Sequence, residues 1–131
     1  RRRCSVDTVH FVIMGCGRVG AALARAIERA GHEVAVIDQD EASFRRLGTS
    51  FEGRTVTGVG FDRDTLRAAG IDHAYAFAAV SSGDNSNIIA ARVARETFGI
   101  QRVVARIYDP GRAEVYQRTI SVMASKLRSG S

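Results

Sequence analysis

The chain of 131 residues reads as an α/β protein, a Rossmann-like doubly wound parallel sheet with strand order 3-2-1-4-5. Three observations predict this. Short apolar runs without polar alternation recur along the chain, as expected of strands buried on both faces. Helical patterns separate these runs at lengths suited to βα units. The first such unit carries Gly15-Cys16-Gly17-Arg18-Val19-Gly20, a G-x-G-x-x-G between a strand and a helix. Right-handed crossovers then select the strand order.

The elements follow in turn. Phe11 to Met14 is the first strand. The helix after the glycines shows Val19, Leu23, Ala26, Ile27 and Ala30 along one face and stops at Gly31. Glu33 to Ile37 is the second strand and ends on Asp38. Glu41 to Leu47 is a short helix with Phe44 and Leu47 inward. Arg54 to Thr57 is a strand closed by Gly58, and Asp62 to Ala69 a helix closed by Gly70. Ala74 to Val80 is the fourth strand, followed by the loop Ser81-Ser82-Gly83-Asp84. Asn85 to Phe98 is a longer helix carrying Ile88, Ile89, Ala91, Val93 and Ala94, with Gly99 as its stop. Arg102 to Ile107 is the fifth strand, and Pro110 opens a helix continued by Ala113 to Arg118. A sixth strand is due next, yet Ile120 to Ala124 fits one badly. The domain is therefore bounded at 9–118, with 1–8 and 119–131 expected to be poorly ordered tails.

The glycine unit carries the chemistry. Gly15 permits the turn out of the strand, Gly17 lets a pyrophosphate approach the backbone, and Gly20 lets helix and strand pack closely. The helix N-terminus offers N–H groups and a positive dipole end to phosphate. Asp38 falls where an acid accepts hydrogen bonds from an adenosine ribose. Arg18 places a guanidinium in the phosphate loop. Ligands in such sheets bind beyond the carboxyl ends of the strands. That edge holds Gly15, Cys16, Gly17, Arg18, Val19, Gly20, Asp38, Gly58, Ser81, Ser82 and Arg106, the candidate cofactor-binding set. Ser81, Ser82 and Asp84 are equally readable as helix caps, and Arg106 with Asp109 as a local ion pair. Asn87 lies in the first turn of the following helix. Cys16 has two readings, a thiol activated by the helix N-terminus or simply a small residue between glycines.

No catalytic set accompanies the loop. His10, His32 and His73 precede strands one, two and four, which places them at the opposite edge. The only lysine is Lys126, and no tyrosine-x-x-x-lysine pair, nucleophile elbow or metal-ligand cluster is expected. The domain is expected to bind a nucleotide without transforming it. The net charge of +5 is carried by the ends: Arg1, Arg2, Arg3, Lys126 and Arg128 are five of nineteen basic residues, and the other fourteen match fourteen acids. A nucleic-acid face is not expected. No apolar run reaches membrane-spanning length. Two cysteines, Cys4 and Cys16, make no disulfide framework and suggest a cytosolic, free-thiol protein. The chain opens on Arg1 rather than methionine, which reads as a fragment or a processed product.

Taken together, GCGRVG, Asp38, TGVGFDRDTLRAAGI, SSGDNSN and VVARIYDP resemble the N-terminal RCK (TrkA-N) domain of Trk/Ktr-type potassium-uptake regulators over residues 9–118. The resemblance implies a cytoplasmic regulatory subunit that binds NAD(H) or ATP/ADP, forms homodimers or rings, and gates a potassium-translocating membrane subunit. It assigns Gly15, Gly17 and Gly20 to the family's glycines, Asp38 to its ribose-binding acid and Arg18 to the phosphates. The sequence departs at Gly58-Val59, where the family commonly has Gly-Asp. The family's sixth strand with its following helix and its C-terminal sensing domain are not recognisable beyond Arg118. Two other readings stand beside it, the cofactor half of an NAD-dependent oxidoreductase and the gating domain of a potassium channel. The nucleotides are not ranked, because all share the adenosine diphosphate these motifs read.

Overall fold

The computed structural model of the chain describes residues 8–107. The helix expected from Pro110, the doubtful strand at 120–124, Asp109 and both tails lie outside them. Five parallel strands form one sheet in the order β3-β2-β1-β4-β5. They are β1 (His10–Met14), β2 (Glu33–Asp38), β3 (Arg54–Thr57), β4 (Ala76–Ala79) and β5 (Val103–Ala105). The predicted order is the observed one.

Alternation along each strand divides the core into two layers. Val12, Met14, Ala35, Ile37, Phe77 and Ala79 face the helices α2 (Arg63–Ala68) and α3 (Asp84–Glu96). Ile13, Val34 and Val36 face α1 (Arg18–Arg29) and the 3₁₀ segment Glu41–Leu47. Every residue of Val34–Ile37 is buried, which is why these strands read as continuous apolar runs. Asp62 caps α2 by accepting from the Thr65 N–H, and Asp40 caps the 3₁₀ segment by accepting from Ala42.

The helix faces differ from the sequence reading. Val19 and Ile89 are exposed at 41% and 44%, and Ala26 and Ala30 are exposed as well. Leu23, Ile27, Ile88 and Val93 are only half-buried. Apart from Asn87, the fully buried positions are small: Gly20, Ala21 and Ala24 on α1, and Ala90, Ala91 and Ala94 on α3. Both helices stand close to the sheet, and at that spacing a methyl group fills the gap that a larger side chain would force open. Of the short segment, Leu47 is buried and Phe44 half-buried, as expected.

Candidate functional site

At the carboxyl edge of the sheet a cavity of about 830 Å³ lies between the loops that follow β1, β2 and β4. Its lining brings together Gly15, Cys16, Gly17, Arg18, Val19, Asp38, Gly58, Ser81, Ser82 and Arg106 from the predicted set. Gly20 stands behind the lining: a Cβ there would lie 1.8 Å from the Gly15 carbonyl oxygen. Gly15 has φ +110°, and a Cβ on it would lie 2.6 Å from the Ser81 nitrogen. Both glycines are thus required by the chain's own packing. Gly17 is not. Its φ of −92° suits any residue, and a Cβ on it would meet nothing within 4 Å. The empty space in front of Gly17 is the floor of the cavity.

Gly17 is the N-cap of α1 with no side-chain capping bond, and no acidic residue occupies the first turn. The first-turn N–H groups have no acceptor within the helix. They face the cavity with the positive end of the helix dipole behind them. Arg18, Arg46 and Arg106 add three guanidiniums around the same space. The arrangement favours an anion of several charges.

Asp38 ends β2 beside this loop. Its Oδ2 accepts the Cys16 N–H at 2.7 Å and its Oδ1 accepts the Asp40 N–H at 2.8 Å. A carboxylate has about four acceptor sites, so two remain for hydroxyl donors. The two backbone bonds hold the group in one orientation.

Cys16 is 1% exposed. Its thiol donates to the Ser43 carbonyl at 3.3 Å. Burial foremost, then the Asp38 charge, push the thiol pKa up, against a smaller lowering by Arg46 and Arg25. Burial and the bond to the Ser43 carbonyl favour the second reading, a small residue packed between glycines.

The loop after β4 is organised by Asn87, which is fully buried. Its Oδ1 accepts from the Ser81 N–H at 2.9 Å and from Ser81 Oγ at 2.7 Å. Its Nδ2 donates to the carbonyls of Ser81 at 2.9 Å and Arg106 at 2.7 Å. Asn87 thus fastens the ends of β4 and β5 together under the cavity. The serine capping reading does not hold, since Gly83 is the N-cap of α3 and no side chain caps it.

Sequence reasoning missed Met14, Ile37, Gln39, Ser43, Arg46, Gly60, Phe61 and Ser86 in the lining. Arg46 also donates to the Cys16 carbonyl at 3.4 Å. The signal for it was positional: the segment after β2 must pass over the carboxyl edge, so its basic residues stand near the loop. His10, His32 and His73 are absent from the lining, at the opposite edge as expected.

Sheet order, glycine loop and acid at the end of β2 define a Rossmann-type domain with a glycine-rich turn at the head of α1. The TrkA-N domain model matches residues 11–125, and the chain belongs to that family. It is 76% identical over 110 residues to a Trk system potassium uptake protein TrkA of Streptomyces coelicolor, covering 84% of this chain and 49% of that one. The TrkA-N domain of the Escherichia coli inner membrane protein ybaL superposes with a TM-score of 0.72 at 18% identity, covering 90% of this chain and 84% of that one. A GsuK channel bound to NAD superposes with a TM-score of 0.68 at 19% identity, covering 90% and 21%. The chain spans about half the length of the curated relatives it matches. Among the described residues no helix is long and apolar enough to cross a membrane.

Proposed function

We propose that this domain is the nucleotide sensor of a potassium uptake system. It binds NAD(H) or an adenine nucleotide such as ATP or ADP at the carboxyl edge. The bound state sets the activity of a potassium-translocating membrane partner from the cytoplasmic side. The observation that carries the reading is Gly17, whose lack of a side chain serves no contact within the protein and clears the approach to the α1 N-terminus. The phosphates lie there beside Arg18, and the ribose hydroxyls reach Asp38. Met14, Ile37 and Phe61 offer the adenine an apolar wall. The domain binds without turning over its ligand, and works as part of a homo-oligomer. The name of the Streptomyces relative and the NAD held by the GsuK channel support the same assignment.

Calorimetry of the domain against NAD, NADH, ATP, ADP and NADP tests it. A methyl group at position 17 fits the fold but stands where a phosphate must approach. Gly17→Ala is expected to keep the melting temperature within a few degrees and to weaken every adenine ligand at least about tenfold. Unchanged affinity in Gly17→Ala, or no binding of any of these ligands by the wild type, rejects the assignment.

A further inference from the structure

The opposite edge of the sheet holds a cluster that the nucleotide site does not use. His10 opens β1 and lies in register with Glu33, which opens β2. His73 ends the 3₁₀ turn Ile71–His73 that precedes β4. One ligand atom from each of His10, Glu33 and His73 lies within 4.8 Å of the others. The His10 and His73 ring centroids are 4.8 Å apart. Gly70 makes room for both rings: with φ +85°, a Cβ on it would lie 2.8 Å from His10 Nε2 and 3.0 Å from His73 Cε1.

His10 is the informative member. It is 8% exposed, and its Nε2 lies 2.7 Å from the Ala69 carbonyl oxygen. A carbonyl only accepts, so the proton sits on Nε2, and a neutral ring then bears a bare lone pair at Nδ1. That buried Nδ1 has no hydrogen-bond partner. It stands 3.4 Å from Glu33 Oε1, which is also an acceptor. Two acceptors facing each other call for a proton or a metal ion between them. A backbone carbonyl on the far nitrogen is how histidine ligands are oriented and fixed in tautomer at metal centres.

We infer that His10 Nδ1, a ring nitrogen of His73 and the Glu33 carboxylate form a binding site for a zinc-class divalent cation, with a fourth position open. Two imidazoles and a carboxylate are a zinc donor set, and imidazole disfavours magnesium and calcium. Bonds of about 2.0–2.2 Å in a tetrahedral site place donors roughly 3.4 Å apart. The His10–Glu33 pair is already at that spacing, and the exposed Glu33 and His73 side chains have room to close on it. A cavity of about 1230 Å³ lined by His10, His32, Glu33 and Arg54 opens at this edge and supplies an entry path. The cation would tie together three segments distant in sequence, at the edge away from the nucleotide.

The test is calorimetry with zinc chloride on the chelator-stripped, nucleotide-free chain, with magnesium and calcium chloride as controls. The expected result is one zinc per chain and no magnesium or calcium uptake at equal concentration. Glu33→Gln and His73→Ala are each expected to weaken zinc at least tenfold and to abolish its effect on the melting temperature. Both positions are exposed, so both variants fold, and their nucleotide affinity stays that of the wild type. Cobalt substitution is expected to give ligand-field absorption without a thiolate charge-transfer band. No zinc uptake, uptake unaffected by both substitutions, or a thiolate band assigning the metal to cysteine overturns the inference. No uptake would leave the ordinary alternative, an imidazolium of His10 paired with Glu33.

Discussion

On the proposed function, two residues at the site have separable jobs. Asp38 would reach the part of the ligand that every adenosine nucleotide shares, while Arg18 would stand where those ligands differ. A charge-assisted hydrogen bond is worth about 1.5–3 kcal/mol. Asp38→Ala is therefore expected to weaken ATP, ADP, NAD and NADH alike, by roughly 10- to 100-fold. Arg18→Ala should instead compress the affinity differences among the four. A sensor requires that contrast, because equal binding to two states shifts no equilibrium. Four calorimetric affinities in each variant decide it, and a uniform fall in Arg18→Ala removes Arg18 as the discriminator. Asp38 also opposes a 2′-phosphate, so NADP should bind more weakly than NAD, with equal affinities counting against this role. Cys16 gives a further prediction. Its pKa is raised, so folding favours the protonated thiol: this contribution is complete below the unfolded thiol's pKa and is lost as pH rises through the folded value. In a Cys4→Ser background, alkylation of the native chain at pH 8 should be at least about tenfold slower than in urea. Equal rates would mean the thiol is exposed.

At the scale of the element, the sequence was legible wherever burial on both faces left a continuous apolar run. Val34–Ile37 is buried throughout, whereas Arg54–Thr57, an edge strand with exposed residues, has the expected boundaries without being an apolar run. The helix faces were less legible, and the reason is physical. A reading that turns large apolar residues inward fails where a helix approaches the sheet closely, because alanine and glycine then make the contact. Val19 and Ile89 therefore point outward while Ala24 and Ala91 are fully buried. Gly20 is the limiting case. A methyl group 1.8 Å from the Gly15 carbonyl cannot be relieved by a rotamer change, so strand and helix must part. Gly20→Ala is expected to lose about 3 kcal/mol of stability in urea denaturation. A loss under about 0.5 kcal/mol would show that α1 can shift without consequence. Comparison with Gly17→Ala, three residues away in the same motif, separates the glycine the fold needs from the one the proposed ligand would need.

Across the whole molecule, parallel strands give the sheet two unlike edges, and that polarity decides what the site can do. The carboxyl edge was legible because loop, acid and serines each follow a strand in the chain. Arg46 and Phe61 were not, since nothing local marks them and only the crossover brings them over the edge. The His10–Glu33–His73 cluster was hidden for the same reason: its members are separated by whole βα units and meet through the register of β1 on β2. The same polarity bears on catalysis. General acid–base chemistry needs a titrating group within hydrogen-bond reach of the reacting atoms. All three histidines stand at the far edge. Of the groups lining the cavity, Ser81 Oγ is bonded to the Asn87 amide oxygen, which is no base, and the Cys16 thiol is buried and held protonated. Asp38 accepts two backbone N–H groups and, on the proposed function, spends its remaining acceptor sites on the ribose. A nicotinamide or a γ-phosphate would then meet guanidiniums, amides and serine hydroxyls. The domain with saturating NADH and a panel of carbonyl acceptors should therefore oxidise NADH no faster than buffer does, and with ATP should release no phosphate above background. Sustained, protein-proportional turnover of either ligand, abolished by Asp38→Ala, would contradict a purely sensory site.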